Sequence, residues 1–207
     1  MTNLPIDTTS LLAIAAALGW ASGLRLYAVV FLTGLAGHLG WVELPSGLHV
    51  LQSYAMLGAS GFMLLIEFFA DKIPGLDSLW DMVHTVVRIP AGAALAAAVF
   101  GADQSSWAMA AALMGGTLAA TSHLAKATTR AALNASPEPF SNIAMSLLGD
   151  SVVPVSLWLS WAHPYFFFAA LAVALVVMVA LTWVFAKFLR RLARRVSGWF
   201  GAGQPST

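Results

Sequence analysis

Arg25, Arg88 and Asp150 each lie deep within a long apolar stretch of this chain. An ionised side chain at mid-bilayer costs at least ~2.5–3.5 kcal/mol on insertion scales, so each needs a partner or water. Other ionisable residues recur at helical spacing. At ~100° per residue, Asp77, Asp81, His84 and Arg88 fall within about 60° of one another on a single face. Glu67 and Asp71 share another face, as do His123, Lys126 and Arg130. Opposite charges are therefore expected to meet from different helices.

The chemistry these groups could do is first of all binding. Guanidinium and ammonium groups suit a carboxylate or phosphate, which makes Arg25, Arg88, Lys126 and Asp150, with His123, Ser22 and Ser122, the candidate solute-contacting set. Glu67, Asp71, Asp77, Asp81, His84 and Glu138 could bind ions or line a vestibule on the cytoplasmic side. Each group also has a structural alternative: Arg25 and Arg88 could simply pair with Asp150 and Asp81. The carboxylate spacing could hold a divalent cation, yet Lys72, His84 and Arg88 could neutralise those carboxylates without metal. His84 and His123 could carry protons, though a lone helical histidine is more often a hydrogen-bonded structural residue. Pro137, Glu138, Pro139, Ser141 and Asn142 could unwind the start of a helix, or act only as a cap and turn. No Walker loop, GxSxG elbow, HExxH or GxGxxG is found, and no cofactor is implied.

The elements that must position these residues are apolar runs near 9–38, 48–71, 78–100, 105–134, 140–161 and 164–187. Each can span a membrane, which takes ~20 residues. Among 207 residues 59% are hydrophobic and 9% charged, against about 25% charged in soluble domains, so a water-soluble fold is excluded. The fold class expected is an all-α polytopic membrane helix bundle of about six transmembrane helices, in one domain over residues 1–187 with a basic amphipathic tail over 188–207. Abundant Gly and Ala predict close helix packing, and the absence of Cys excludes disulfides and thiolate metal sites. The formal charge of +1 suggests no nucleic-acid partner.

Lys187, Arg190, Arg191, Arg194 and Arg195 follow the last run and belong in the cytoplasm by the positive-inside rule. Six crossings would then put both termini there. The tail could also lie on anionic lipids, and a chain this small leaves room for a homo-oligomer. Thr9 or Ser10 is expected to cap the first helix, with Asp7 complementing its dipole. Runs one and four could each form ~30 residues of helix, about 45 Å against a core of about 30 Å, so both are expected to tilt, protrude or break. The similarity of ASGLR to TSHLAK suggests a 3+3 inverted repeat with broken helices one and four.

The strings ASGLRLYAVVFLTGLAG, EFFADKIPGLDSLWDMVHTVVRIPAGA and SHLAKATTRAALNASPEPFSN resemble a bacterial integral-membrane family catalogued as domain of unknown function 4126. The similarity extends to about residue 187. It implies a multi-pass protein of the bacterial inner membrane and lends no substrate. Relatives are expected to carry an acidic pair near Gly149-Asp150; Asp150 alone here weakens any mechanism needing two carboxylates. Three functions remain in view: a transporter or channel for a small polar or anionic solute or ion, a non-transporting scaffold with structural salt bridges, and a metal-dependent membrane enzyme.

Overall fold

The computed structural model describes residues 7–73, 75–101, 104–135 and 139–201, and among these every regular element is helical. The order is α1 (Thr8–His38), a 3-10 helix (Ser46–Gln52), α2 (Tyr54–Ala70), α3 (Leu76–Ala98), α4 (Ser105–Leu133), α5 (Pro139–Ala162) and α6 (Pro164–Gly201). The joints sit where turn residues predict them, with Gly75 and Gly101 at φ 86° and 65°, a backbone region that residues with a Cβ rarely enter. The cap of α1 is Asp7, not Thr9 or Ser10: its carboxylate accepts from Ser10 N at 3.0 Å, because a capping side chain must stand outside the helix and reach forward.

Among the described residues fewer helices qualify as spans than the six expected. By length and apolar composition α1, α4, α5 and α6 can cross a membrane. The 3-10 helix and α2, bent by 69° at Ser53, make a fifth candidate, so there are four to five spans among the described residues. The run expected at 48–71 is thus a bent pair, and the ionisable stripe of α3 keeps that helix outside the apolar set.

The core of the bundle is the first half of α1, where Ala13 to Leu18 are all essentially unexposed. Small residues let neighbouring backbones approach it closely. A Cβ on Gly19 would run into the backbone of Gly115, one on Gly23 into Ala119 and Ser122, and one on Gly92 would lie 2.7 Å from the Ala119 methyl. α6 lies at the other extreme, with Val173, Val176, Val179 and Trp183 pointing outward, as its lack of charge from 164 to 186 predicts.

The registers fix the helix directions. Gly19 meets Gly115, Gly23 meets Ala119, and Leu24 meets Lys126, so the first half of α1 runs parallel to α4. Gly115 meets Ala96, Gly92 meets Ala119, and Asp77 meets Asn134, so α3 runs antiparallel to α4. α2 enters the α2–α3 hairpin antiparallel to α3, with Glu67 against Arg88. The second half of α1 runs antiparallel to α2, Phe31 against Gly61 and Gly34 against Leu57. These directions agree only if the chain turns back within α1. It does so at Arg25, whose φ −150° and ψ 85° interrupt the helix. α1 is therefore a V of two half-helices, residues 8–24 and 26–38. The expected break in α4 is absent: its 29 residues run as one helix, with no residue out of helical conformation to match Arg25.

Candidate functional site

The turn at Arg25 leaves backbone carbonyls without their intrahelical donors. Lys126 on α4 answers one of them, donating from Nζ to Leu24 O at 3.0 Å. A cation there also complements the negative end of the first half-helix. Ser122, one turn earlier on α4, donates to Trp20 O at 2.6 Å, and Ser22 donates to Leu18 O at 2.6 Å. Both serines are fully buried, and both hydroxyl protons are committed to backbone.

Around this turn the ionisable residues form one network in three linked centres. In the first, Asp71 at the end of α2 takes three cations: Arg25 Nη1 at 3.0 Å, Lys126 Nζ at 3.1 Å and Arg130 Nη1 at 2.8 Å. In the second, Asp150 on α5 meets Arg25 Nε at 3.0 Å and Lys72 Nζ at 3.4 Å, while Arg25 Nη2 donates to the Ser146 hydroxyl at 2.8 Å. In the third, Arg88 on α3 donates to Glu67 at 2.6 Å and Asp81 at 2.5 Å, and Asp81 also lies 3.1 Å from Lys126. Arg130 joins the centres, 3.7 Å from both Asp77 and Asp81. Asp77 itself closes the start of α3, accepting from Gly75 N, Ser78 N and Asn134 Nδ2.

Five cations thus face five carboxylates, so the network is charge-neutral although most of its members are almost completely buried. Such neutrality is what an interior with little water requires. The pairs expected from sequence, Arg25 with Asp150 and Arg88 with Asp81, are both present. The histidines take different roles. His123 bonds Thr85 through Nε2 at 2.7 Å, with Nδ1 3.4 Å from Arg88. His84 stacks on Trp80 and bonds the Tyr27 hydroxyl at 3.1 Å. Several buried atoms keep polar capacity unused among the described residues: Arg25 Nη1 and Arg88 Nε make no aligned hydrogen bond, nor does Glu67 Oε2.

Glu138 and Pro137 lie outside the described residues. Among the described residues no three His, Asp or Glu converge as metal ligands, and Glu67 and Asp71 turn to different cations rather than to a shared ion. The reading of sequence faces missed Ser146, Thr85 and Tyr27, which carry no charge and so give no signal in an apolar run. It placed Arg130 on the correct face but did not anticipate that it joins separate centres.

The family model for domain of unknown function 4126 matches residues 12–184, which hold every member of this network. The chain belongs to the DUF4126 family. No curated protein and no solved structure matches it. As a DUF4126 member it carries the strings that suggested the family at the network itself: the Arg25 turn, the α2–α3 hairpin with Asp71 and Asp77, and the Lys126 to Arg130 face. Gly149, beside Asp150, lies against Arg25, since a Cβ there would stand 3.5 Å from Arg25 Nε.

Proposed function

We propose that this DUF4126 protein is a small transporter or channel for a polar or anionic solute or ion. The interruption of α1 at Arg25, inside the charged network, carries this reading. Discontinuous helices whose ends meet ionisable residues within the bilayer are how many transporters build solute and ion sites. Arg25, Arg88, Lys126 and Asp150 would contact the solute, whose acceptors would compete with the carboxylates that now hold these cations. His123 would modulate Arg88, and the carboxylates of Glu67, Asp71, Asp77 and Asp81, with His84, would balance charge or pass a coupling ion.

The proposed orientation places the basic end of α6, Lys187 to Arg194, in the cytoplasm of a bacterial cell at its inner membrane. α2 to α6 then give five crossings, and α1 enters and leaves from the opposite face, carrying the N-terminus there. The segments assigned to that face, near 1–8, 39–53, 99–104 and 162–163, contain no Lys or Arg. This replaces the six-crossing expectation of two cytoplasmic termini. A 3+3 inverted repeat gains no support, since ASGLR and TSHLAK run parallel where Leu24 meets Lys126 and α4 has no break to match Arg25.

A structural reading has its own observation: every charge in the network is paired, which suffices to lock five helices in register. Reconstitution separates the two. Uptake of small anions and cations into liposomes is expected for wild type and reduced for Arg88→Ala and Asp150→Asn. Wild-type vesicles no leakier than empty ones to every solute class, with variants that fail to assemble, would leave the structural role.

A further inference from the structure

Two cavities line the seam where α5 and α6 lie over the first half of α1. The upper, about 310 Å³, ends at Arg25, Asp71, Lys126 and Arg130. The lower, about 270 Å³, shares Trp20, Val152 and Ala174 with it and reaches Phe167. Together they make one groove. From Leu181 to Phe167 along α6 it extends roughly 21 Å at ~1.5 Å per residue. One leaflet of a hydrocarbon core is about 15 Å thick, so the groove is long enough for one acyl chain.

Its polarity runs in one direction. The walls are mostly apolar, formed by Trp20, Val152, Met178 and their neighbours with Ser151 and Ser156 in the lower part, while the charged end presents three cations and one carboxylate. Arg25 there is about 2% exposed, and its Nη1 lies 3.0 Å from Asp71, the one carboxylate that lines this end. Free phosphate would gain nothing from the apolar length, and a neutral hydrocarbon nothing from the cations. The rim is made of side chains already facing outward, including Leu148 and Val177. A molecule can therefore enter sideways from the bilayer.

The geometry points to this groove as a binding site for one anionic phospholipid, its acyl chain along Trp20, Val152 and Ala174 and its phosphate at Arg25, Lys126 and Arg130. It rests on the orientation proposed above only for the leaflet, which would be the cytoplasmic one; binding itself requires neither that orientation nor transport.

The chain has no cysteine, so Ala174→Cys gives a single probe inside the groove. In dodecyl maltoside micelles, added phosphatidylglycerol is expected to slow maleimide modification of this thiol about tenfold. Phosphatidylcholine and inorganic phosphate should leave the rate unchanged. By native mass spectrometry, wild type should retain phosphatidylglycerol, and Ala174→Trp, which fills the groove, should lose it. Equal protection by both phospholipids, protection by inorganic phosphate, no protection at all, or protection that follows protein concentration and so reports a second copy would each overturn the site. The thiol measurement stands even if the tryptophan variant does not fold, and it involves no flux, so failure of transport and failure of lipid binding remain separate results.

Discussion

Asp71 is the carboxylate on which most of the network converges. Removing its charge would leave Arg25, Lys126 and Arg130 with one acceptor fewer in a region where Asp71 itself is unexposed. Breaking a buried ion pair from one side costs about 3–5 kcal/mol, because the remaining charge stays desolvated. Asp71→Asn is therefore expected to lower the thermal midpoint in detergent far more than Asp150→Asn, whose side chain is 23% exposed and can be reached by water. Equal midpoints for the two variants would contradict this account of the network. A gentler change tests the geometry beside it. A Cβ at Gly149 would be in ordinary contact with Arg25 Nε, so Gly149→Ala should fold and gain up to about 1 kcal/mol of stability from helix propensity, read as a raised thermal midpoint. Loss of folded protein would show that Arg25 has no room for it.

At the scale of elements, the bundle depends on glycines where backbones cross. Gly19 and Gly92 sit where a Cβ meets another backbone or methyl with no room to yield, so Gly19→Val and Gly92→Val should separate α1, α3 and α4 and abolish a monodisperse detergent peak. Gly58 on α2 faces open space; Gly58→Ala there should gain up to about 1 kcal/mol from helix propensity alone, read as a raised midpoint. Destabilisation at both kinds of site would mean that backbone conformation and not close packing sets the glycine requirement.

For the whole molecule, the proposed orientation depends on the turn at Arg25. Single cysteines at Thr8, Glu43 and Arg194 report this directly. A membrane-impermeant thiol reagent on intact cells with the outer membrane opened should label Thr8→Cys and Glu43→Cys, and Arg194→Cys only after lysis. Six straight crossings would instead put Thr8 and Arg194 together on the inside, and labelling of Glu43 without Thr8 would establish that arrangement.

Much of this was legible in the sequence because it is local. Helix extents follow from apolar length and from joints such as Gly75 and Gly101, and the shared face of Asp77, Asp81, His84 and Arg88 follows from helical periodicity; all four are buried together. The pairing of Arg25 with Asp150 followed from cost, since a lone charge in the bilayer demands a partner. A break in α1 was expected from a run too long for the membrane, but its position at Arg25 and the reversal of direction there were not legible. Residues 9–38 read as one continuous apolar run, and the groups that make a single-residue break tolerable, Lys126 on the Leu24 carbonyl and Asp71 on the guanidinium, lie far away in the chain. The same reasoning gave α4 a break that the structure lacks, because similar residues there pack as a continuous helix against the halves of α1 and α3. Sequence fixes which groups must be satisfied; only the tertiary arrangement decides which distant group satisfies them, because the choice depends on how the helices are directed and not on local spacing.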